Sequence, residues 1–381
     1  MTGLIVLDTK TLAPLDVASR LPRLSLSLKA NNLDALLVTR LANIRYLSGF
    51  TGSAAMMLVT ATGSTLFVTD GRYGEQSRDQ LAEAGVDAAI AIAMAATAQL
   101  DAIAQAIADN ETTRLGLEGH GITWDQERQF AARFAVAVSN LEIVSAGTLV
   151  EDLRRVKDDG EVARIAAACA IADDAFQALL PKLGTGLTEQ QFALQLEFAM
   201  RERGASANSF DPIIASGPNG AKPHARPSDR VIERNELVVC DFGCIVDGYC
   251  SDMTRTVSVG DPGSDARHLY DVVFEAQAAG RALVKAGAEL RSIDGACRSI
   301  IDAAGWGELF SHSTGHGVGI EIHEAPRVAT TASGSVFVRD VVTVEPGVYL
   351  PGVGGVRIED TLVVGTSGAD VLTNTPKELI L

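Results

Sequence analysis

Two segments of this 381-residue chain carry pairs of carboxylates on apolar β-type runs, and this pattern constrains the fold more than any other. The first is 238–259, VVCDFGCIVDGYCSDMTRTVSV, whose central Asp-Gly pair is a strong signal for a two-residue hairpin turn. That turn places Asp241 opposite Thr254. Asp252 lies two residues before Thr254, and therefore on the same face as Asp241. Two acids are predicted to point to one side of the hairpin.

The second segment is 341–364, VVTVEPGVYLPGVGGVRIEDTLVV, and it repeats the design. A loop at 351–355 would place Glu345 opposite Thr361. Glu359 is again two residues from the facing threonine, on the face of the first acid. Two hairpins of similar pattern are thus predicted to bring two pairs of carboxylates into the protein.

Four carboxylates on buried strands are costly, because like charges in an apolar environment raise one another's pKa and resist ionisation. Two divalent cations would cancel the four charges. Oxygen ligands with one imidazole suit Mn, Co, Fe or Zn in a catalytic setting. The stretch 314–326, TGHGVGIEIHEAP, surrounds His316 with glycines that let a ligand come close. His316 is therefore the candidate imidazole.

The length of the chain predicts two domains, since a single core rarely serves so many residues. Helix and strand patterns alternate in the first part, which predicts an α/β sheet flanked by helices. Strand-rich blocks at 210–259 and 313–364, together with helical segments, predict an α+β second part. The charged segment 151–165 is the candidate linker. The expected domains are 1–150 and 151–381.

Local patterns also predict individual elements. RLPRLSLSLKANNL and TAQLDAIAQAIADN have helical spacing, DALLVTR is typical of a strand, and AAMMLVT with STLFVTDGRY predicts a hairpin. NIRYLSGFTGSAA, at 43–55, is interpreted as a strand followed by a turn. Thr188 is placed to cap the helix that follows it.

Composition excludes several partners. A net charge of −16 argues against nucleic acid and against anionic membrane surfaces. The longest uncharged apolar run, 88–98, is far shorter than the ~20 residues that span a bilayer. The first residues lack the basic start of a signal peptide, so a cytoplasmic protein is expected. The odd count of five cysteines predicts reduced thiols, and their spacing does not favour zinc.

Four motifs stand out as a set: PHARPSD, DFGCIVDGYCSDMTRT, HSTGHGVGIEIHEAP and VEPGVYLPGVGGVRIED. Together they resemble those of the pita-bread-fold metallopeptidases, in the branch of Xaa-Pro aminopeptidases (aminopeptidase P) and prolidases. In the first part, NIRYLSGFTGSAA and TDGRY are similar to the creatinase-type amino-terminal domain. The resemblance covers most of the chain. It implies an α/β creatinase-like domain followed by an α+β pita-bread catalytic domain.

Position by position, the resemblance implies two divalent metal ions, with Mn expected first and Co or Zn as alternatives. Two of the ligands, Asp252 and Glu359, would bridge the ions. The full set of implied ligands is Asp241, Asp252, His316, Glu345 and Glu359. The further pocket residues that the resemblance implies are His224, His312, His323, Tyr349 and Arg357.

The implied activity is that of an Xaa-Pro aminopeptidase, with a hydroxide shared by the two metals as the nucleophile. Glu345 would carry the proton from the water to the leaving nitrogen. His224 or His323 would donate a hydrogen bond to the developing oxyanion. Arg357 is expected to orient a ligand carboxylate, and Tyr349 has either a packing or a catalytic role.

Two other activities stay open. A prolidase, which cuts Xaa-Pro dipeptides, would use the same ligands, and RYLSGFTGS favours the aminopeptidase over it. A same-fold hydrolase acting on a small non-peptide substrate is the more distant alternative. The expected partners are proline-containing peptides or dipeptides and a second copy of the chain in a homodimer.

Overall fold

The computed structural model describes residues 7–381, and contacts among these residues form two compact units. One unit is Asp16–Arg154. The other combines Arg155–Leu381 with residues 7–15. The domain limits expected from the sequence, 1–150 and 151–381, stay predictions. Among residues 7–381, no helix has the length and apolar character needed to cross a membrane.

The Asp16–Arg154 unit is a mixed sheet with helices around it. Its helices are α1 Arg20–Ala30, α2 Leu41–Ser48, α3 Gly74–Glu83, α4 Ala96–Asp109, α5 Trp124–Ala137 and α6 Leu149–Arg155. Its strands are β1 Ala35–Val38, β2 Ala55–Thr60, β3 Thr65–Thr69, β4 Ala89–Ile92, β5 Arg114–Leu117 and β6 Glu142–Ser145. The sheet order is β4-β3-β2-β1-β5-β6; β2 is antiparallel to β1 and β3, and the other neighbouring strands are parallel.

Most local predictions for this unit are confirmed. The two helical patterns form α1 and α4, DALLVTR contains β1, and β2 and β3 make the expected hairpin. The strand-and-turn interpretation of 43–55 is wrong, because this segment begins inside α2. Ile44 and Leu47 are fully buried at helical spacing, and Gly49 ends the helix with φ of 72°.

The larger unit is built from small antiparallel sheets covered by long helices. Its helices are α7 Asp159–Leu179, α8 Glu189–Glu202, α9 Ser264–Ala282 and α10 Leu290–Ala303. Its first strands are β7 Ala207–Asn208, β8 Ile213–Ser216, β9 Val238–Phe242, β10 Cys244–Val246, β11 Tyr249–Cys250 and β12 Met253–Val257. Its later strands are β13 Gly315–Gly317, β14 Glu324–Val328, β15 Val341–Val344, β16 Gly347–Leu350, β17 Gly354–Arg357, β18 Asp360–Val364 and β19 Ala369–Val371.

Helix pairs bury the apolar faces of these sheets. α7 and α8 pack on the sheet with order β12-β9-β8, in a core that contains Phe176, Phe192 and Phe242. α9 and α10 cover the strands near β15 and β18, in a second core. Thr188 caps α8 through a capping box with Gln191, as predicted. The cysteines are all buried and reduced.

One buried carboxylate fastens a long loop to this scaffold. Glu189, in the first turn of α8, accepts hydrogen bonds from the backbone and hydroxyl of Ser216, at 2.7 and 2.8 Å. It also accepts from the backbone and hydroxyl of Ser228, at 3.0 and 2.6 Å, and from the Asn219 amide. Burial acts to raise the pKa of Glu189, but these hydrogen bonds outweigh it and the pKa is lowered. His224 lies in the loop held this way.

Replacing Glu189 with Gln should lower the free energy of unfolding by about 2 kcal/mol at neutral pH, because the new amide would face donors that the carboxylate now satisfies. The pKa of Glu189 is lower in the folded state, so its contribution is complete above the ordinary value of 4.5. It is lost as the pH falls through the folded value. Urea unfolding at a series of pH values should show that the difference in the free energy of unfolding between wild type and variant decreases as the pH becomes acidic.

The control is Glu197→Gln on the same helix, where a half-exposed carboxylate pairs with Arg201. It should change the free energy of unfolding by less than about 0.5 kcal/mol. A difference between wild type and Glu189→Gln that stays constant from neutral to acidic pH contradicts the assignment.

Candidate metal centre

The first acid-bearing hairpin has the predicted register. Asp241 on β9 pairs with Thr254 on β12, and the turn at Asp247 and Gly248 has positive φ at both residues. Asp252 directly precedes β12 and is buried. The Asp-Gly signal predicted this register correctly, because a two-residue turn with positive φ at both residues matches the twist of the flanking strands.

The second hairpin was predicted two residues out of register, and this expectation is corrected. Glu345 does not face Thr361, whose partner is Thr343. The turn is shorter than expected, since Leu350 pairs with Gly354 and the two glycines 354 and 355 belong to β17. A methyl group at Gly355 would lie 2.0 Å from the carbonyl oxygen of Gly220, so this strand requires glycine for close packing.

The error in register does not change which face the acids occupy. A strand alternates its side chains with a period of two, so a shift of two residues keeps each side chain on its predicted side. Glu345 follows β15 and Glu359 precedes β18, and both line the cavity that Asp241 and Asp252 also line.

This cavity has a volume of about 700 Å³ and contains the predicted ligands and most of the predicted pocket residues. Carboxylate oxygens of Asp252 and Glu359 and a ring nitrogen of His316 all lie within 4.8 Å of one another. His316 Nε2 is 3.5 Å from Asp252 Oδ2 and 3.3 Å from Glu345 Oε1. The predicted residues that line it are His224, Asp241, Asp252, His312, His316, His323, Glu345, Arg357 and Glu359.

Burial and mutual repulsion dominate the electrostatics of the acids. Burial, with the charges of neighbouring carboxylates, raises the pKa of Asp252 and that of Glu359 well above their ordinary values. Burial also raises the pKa of Asp241, although the Arg357 guanidinium opposes it. For Glu345 the effect of burial is outweighed by the hydrogen bond and charge of His316, and the pKa is lowered.

Two oxygens of this cluster test whether the site fits metal ions. Asp241 Oδ1 and Glu359 Oε1 are buried and accept no hydrogen bond from any residue in the described part of the chain. A buried carboxylate oxygen without a partner is costly, and a divalent cation supplies the missing interaction. A set of four carboxylates and one imidazole also has the donor chemistry of a first-row transition metal site. The residues present therefore fit metal ions.

Arg357 connects the two hairpins through hydrogen bonds that hold the acids in place. Its guanidinium donates to Asp241 Oδ2, to the hydroxyl of Tyr349 at 2.5 Å and to Thr254 Oγ1 at 3.2 Å. Thr254 in turn donates to Glu359 Oε2 at 2.8 Å. Arg357 thus contacts a candidate ligand as well as the open cavity, and the orienting role expected for it stays a prediction.

Tyr349 lies behind the cavity wall and joins Arg357 to His312. His312 Nδ1 lies 2.9 Å from the carbonyl oxygen of Ser313, which can only accept, so Nδ1 carries the proton. Nε2 of His312, 2.9 Å from the hydroxyl of Tyr349, is then the acceptor. Burial lowers the pKa of His312 and raises that of Tyr349 to about 12, which keeps the imidazole neutral and the phenol protonated.

The other histidines occupy different positions on the cavity. The rings of His316 and His323 meet edge to face, with centroids 4.3 Å apart. Burial and the neighbouring His316 lower the pKa of His323. His120 and His268, which have no motif around them, are exposed and lie outside the cavity lining.

Sequence reasoning missed several residues of the cavity. Arg226 and Arg327 are exposed cations on its lining, and Asp211 lies 3.8 Å from Arg226. Arg226 stands inside the quoted motif PHARPSD, and Arg327 directly follows HSTGHGVGIEIHEAP. Their closeness to these motifs was the available signal.

Comparison with known proteins assigns the larger unit to a family. The pattern of metallopeptidase family M24 matches residues 163–366, more than half of the chain. The chain belongs to metallopeptidase family M24. The Creatinase/Prolidase N-terminal domain matches residues 20–156 of this M24 metallopeptidase. The expected combination of a creatinase-like α/β domain and a pita-bread catalytic domain is confirmed.

Relatives of this M24 metallopeptidase cover nearly its whole length. An Xaa-Pro dipeptidase of Pyrococcus horikoshii is 35% identical over 92% of this chain and 95% of its own. The structure of an Xaa-Pro dipeptidase from Bacillus anthracis has a TM-score of 0.89 and 38% identity, covering 96% of this chain and 100% of that one. An X-Pro aminopeptidase from Thermotoga maritima has a TM-score of 0.83 and 32% identity, covering 93% and 99%.

We expect Mn²⁺ to stabilise the EDTA-treated enzyme, and Glu359→Gln to remove most of this stabilisation. For an intact site, a free Mn²⁺ concentration of a hundred times Kd adds about 2.7 kcal/mol to the stability of the folded state. Thermal melts with and without Mn²⁺ measure the effect, and circular dichroism checks that the variant folds. The control is Asp211→Asn, an exposed acid on the same cavity. Equal stabilisation of all three proteins would exclude Glu359 as a ligand.

Proposed function

We propose that this enzyme is a metal-dependent Xaa-Pro dipeptidase. The observation that carries the proposal is the cavity in which Asp241, Asp252, Glu345, Glu359 and His316 meet. The names of the relatives in Pyrococcus horikoshii and Bacillus anthracis support a dipeptidase. They favour the alternative over the aminopeptidase that the sequence motif RYLSGFTGS suggested. The Thermotoga maritima neighbour keeps the Xaa-Pro aminopeptidase as the second candidate.

Two divalent ions would be held by the five residues that the motifs identify, Asp241, Asp252, His316, Glu345 and Glu359. Mn²⁺ is the metal proposed first, with Co²⁺ or Zn²⁺ as alternatives. When bound, such ions polarise a carbonyl group and make water acidic enough to react near neutral pH.

Glu345 is suited to move the proton in the reaction. Its lowered pKa keeps it ionised, and its Oε1 lies 3.3 Å from His316 Nε2 and accepts from Thr343 Oγ1 at the same distance. The carboxylate would accept a proton from the attacking water and deliver it to the nitrogen of the leaving proline.

The histidines of the cavity wall would bind and orient the scissile group. His224 and His323 both line the cavity, and a ring N–H of either would donate to the carbonyl oxygen as negative charge develops there. Arg357 and Tyr349 would act indirectly, because they fix Asp241 and His312 through hydrogen bonds.

A dipeptide substrate requires recognition of two charges at once. Its ammonium group would meet the acids of the cavity, and its carboxylate would meet an arginine. Arg226 and Arg327 are exposed and line the same cavity, whose volume is within the ~300–1,000 Å³ usual for small-molecule sites. Arg327 lies on β14, four residues after His323 in the sequence. It is proposed as the group that binds the substrate carboxylate.

A two-substrate assay on metal-reconstituted enzyme separates the candidate activities. The dipeptidase proposal expects hydrolysis of Ala-Pro and little or none of Ala-Pro-Ala, measured by chromatography of the released alanine. Cleavage of both peptides would favour the aminopeptidase. Cleavage of neither, with Mn²⁺, Co²⁺ or Zn²⁺, would favour the same-fold hydrolase of a small non-peptide substrate.

Arg327→Gln should raise the KM for Ala-Pro about 10- to 100-fold, because a charge-assisted hydrogen bond to the substrate is worth about 1.5–3 kcal/mol. Ala-Pro-amide lacks the carboxylate, so its hydrolysis by wild type and variant should be nearly equal. Steady-state kinetics on both substrates checks this. Arg291→Gln, a change at another exposed arginine outside the cavity, should behave as wild type. An equal loss on Ala-Pro and Ala-Pro-amide would rule out the role of Arg327.

A further inference from the structure

Arg298, on α10, contacts the backbone that carries His312 although it is not one of the motif residues. Its Nη2 donates to the carbonyl oxygen of His312 at 2.5 Å, and its Nη1 donates to that of Phe310 at 2.9 Å. The guanidinium also stacks over the ring of Phe310, 4.1 Å from its centre. Arg298 therefore holds both the backbone of His312 and the ring beside it.

The ring of Phe310 transmits this restraint to the imidazole. Phe310 is buried and meets His312 edge to face, with centroids 5.1 Å apart. The nitrogens of His312 are engaged by Ser313 and Tyr349, as described above. His312 is thus fixed on the Phe310 side as well as at both nitrogens.

Asp294 fixes Arg298 itself. Its fully buried carboxylate accepts from Arg298 Nε at 2.7 Å, one turn away on the same helix. The other oxygen accepts from the hydroxyl of Thr314 at 2.8 Å. The carbonyl of Thr314 accepts from the backbone N–H of Glu345 at 2.7 Å. One ion pair on α10 therefore orders the segment from Phe310 to Thr314, and Thr314 in turn binds the backbone N–H of the proposed proton carrier.

We propose that Arg298, anchored by Asp294, is a positioning residue that sets the place of His312 on the cavity wall. Arg298 acts through His312 and does not touch the substrate. A planar guanidinium with several donors performs this role better than a lysine, because three acceptors in different directions are bound by one rigid group. The inference rests on the proposed function for its effect on activity, but not for its effect on His312.

A double-mutant cycle tests the proposal. Arg298→Gln should lower kcat/KM for Ala-Pro about 10- to 100-fold, because the displacement of a side chain that lines the substrate cavity can carry losses of this size. The same change in a His312→Gln background should lower kcat/KM by less than about threefold, since residues that act as a unit are strongly non-additive. Arg298→Lys should lie between wild type and Arg298→Gln. Equal losses in both backgrounds would overturn the proposal.

The chain offers a matched control. Arg201 on α8 also pairs with a carboxylate one turn away, Glu197, and donates to a carbonyl beyond the end of its helix, that of Ser206. Arg201 does not line the cavity. Arg201→Gln should leave kcat/KM within about twofold of wild type, as expected for surface changes away from such sites. A loss equal to that of Arg298→Gln would count against a specific role.

A spectroscopic measurement tests whether Arg298 positions His312 and needs no activity assay. The six histidines give few signals in a spectrum of metal-free protein labelled at histidine ¹³Cε1, and His312→Gln assigns one of them. In Arg298→Gln that signal should shift, broaden or split, while the signals of His120 and His268 stay unchanged. An unchanged His312 signal overturns the proposal. If wild type hydrolyses no Xaa-Pro peptide, the proposed function fails and the spectrum still tests Arg298.

Discussion

Repulsion among buried carboxylates is the interaction around which the larger unit is organised. Asp252 and Glu359 have strongly raised pKa values because burial and neighbouring acids disfavour their charge. Arg357 compensates part of this charge through Asp241, and two carboxylate oxygens still have no partner in residues 7–381. A scaffold that holds acids in this way strongly favours the binding of cations. Hairpins, which fix the direction of every second side chain, are well suited to hold it.

The sequence could predict the site because its key residues lie within short segments of regular period. The Asp-Gly turn specified the register of the first hairpin, and Asp241 and Asp252 followed from it. In the second hairpin the glycines at 354 and 355 have the composition of a loop, but they pair as a strand. The error was an even number of residues, so Glu345 and Glu359 still line the predicted cavity. An error of two residues keeps each side chain on its predicted face of the strand, whereas an error of one residue would move it to the opposite face.

Contacts between distant segments had no comparable signature. The strand predicted at 43–55 is helical at its start, because burial of Ile44 and Leu47 overrides the β-type character of the segment. Arg298 contacts His312 because α10 packs beside the segment that follows this helix, and no spacing of residues in the sequence predicts the contact. Exposed arginines such as Arg327 are ordinary surface residues until the fold places them on a cavity. Tertiary packing, which a single sequence does not encode locally, decided each of these cases.

The contact between Gly355 and Gly220 has a consequence for engineering the enzyme. The two backbones meet so closely that a methyl group at Gly355 would clash with the Gly220 carbonyl, whereas one at Gly220 would lie 3.1 Å from the Gly355 nitrogen. The contact ties the His224 loop to the hairpin between Glu345 and Glu359. Substitution of Gly355 is therefore expected to displace the His224 loop or the hairpin. Libraries meant to alter substrate preference are better directed to the exposed arginines of the cavity, Arg226 and Arg327, where new side chains have space and the candidate metal ligands are left in place.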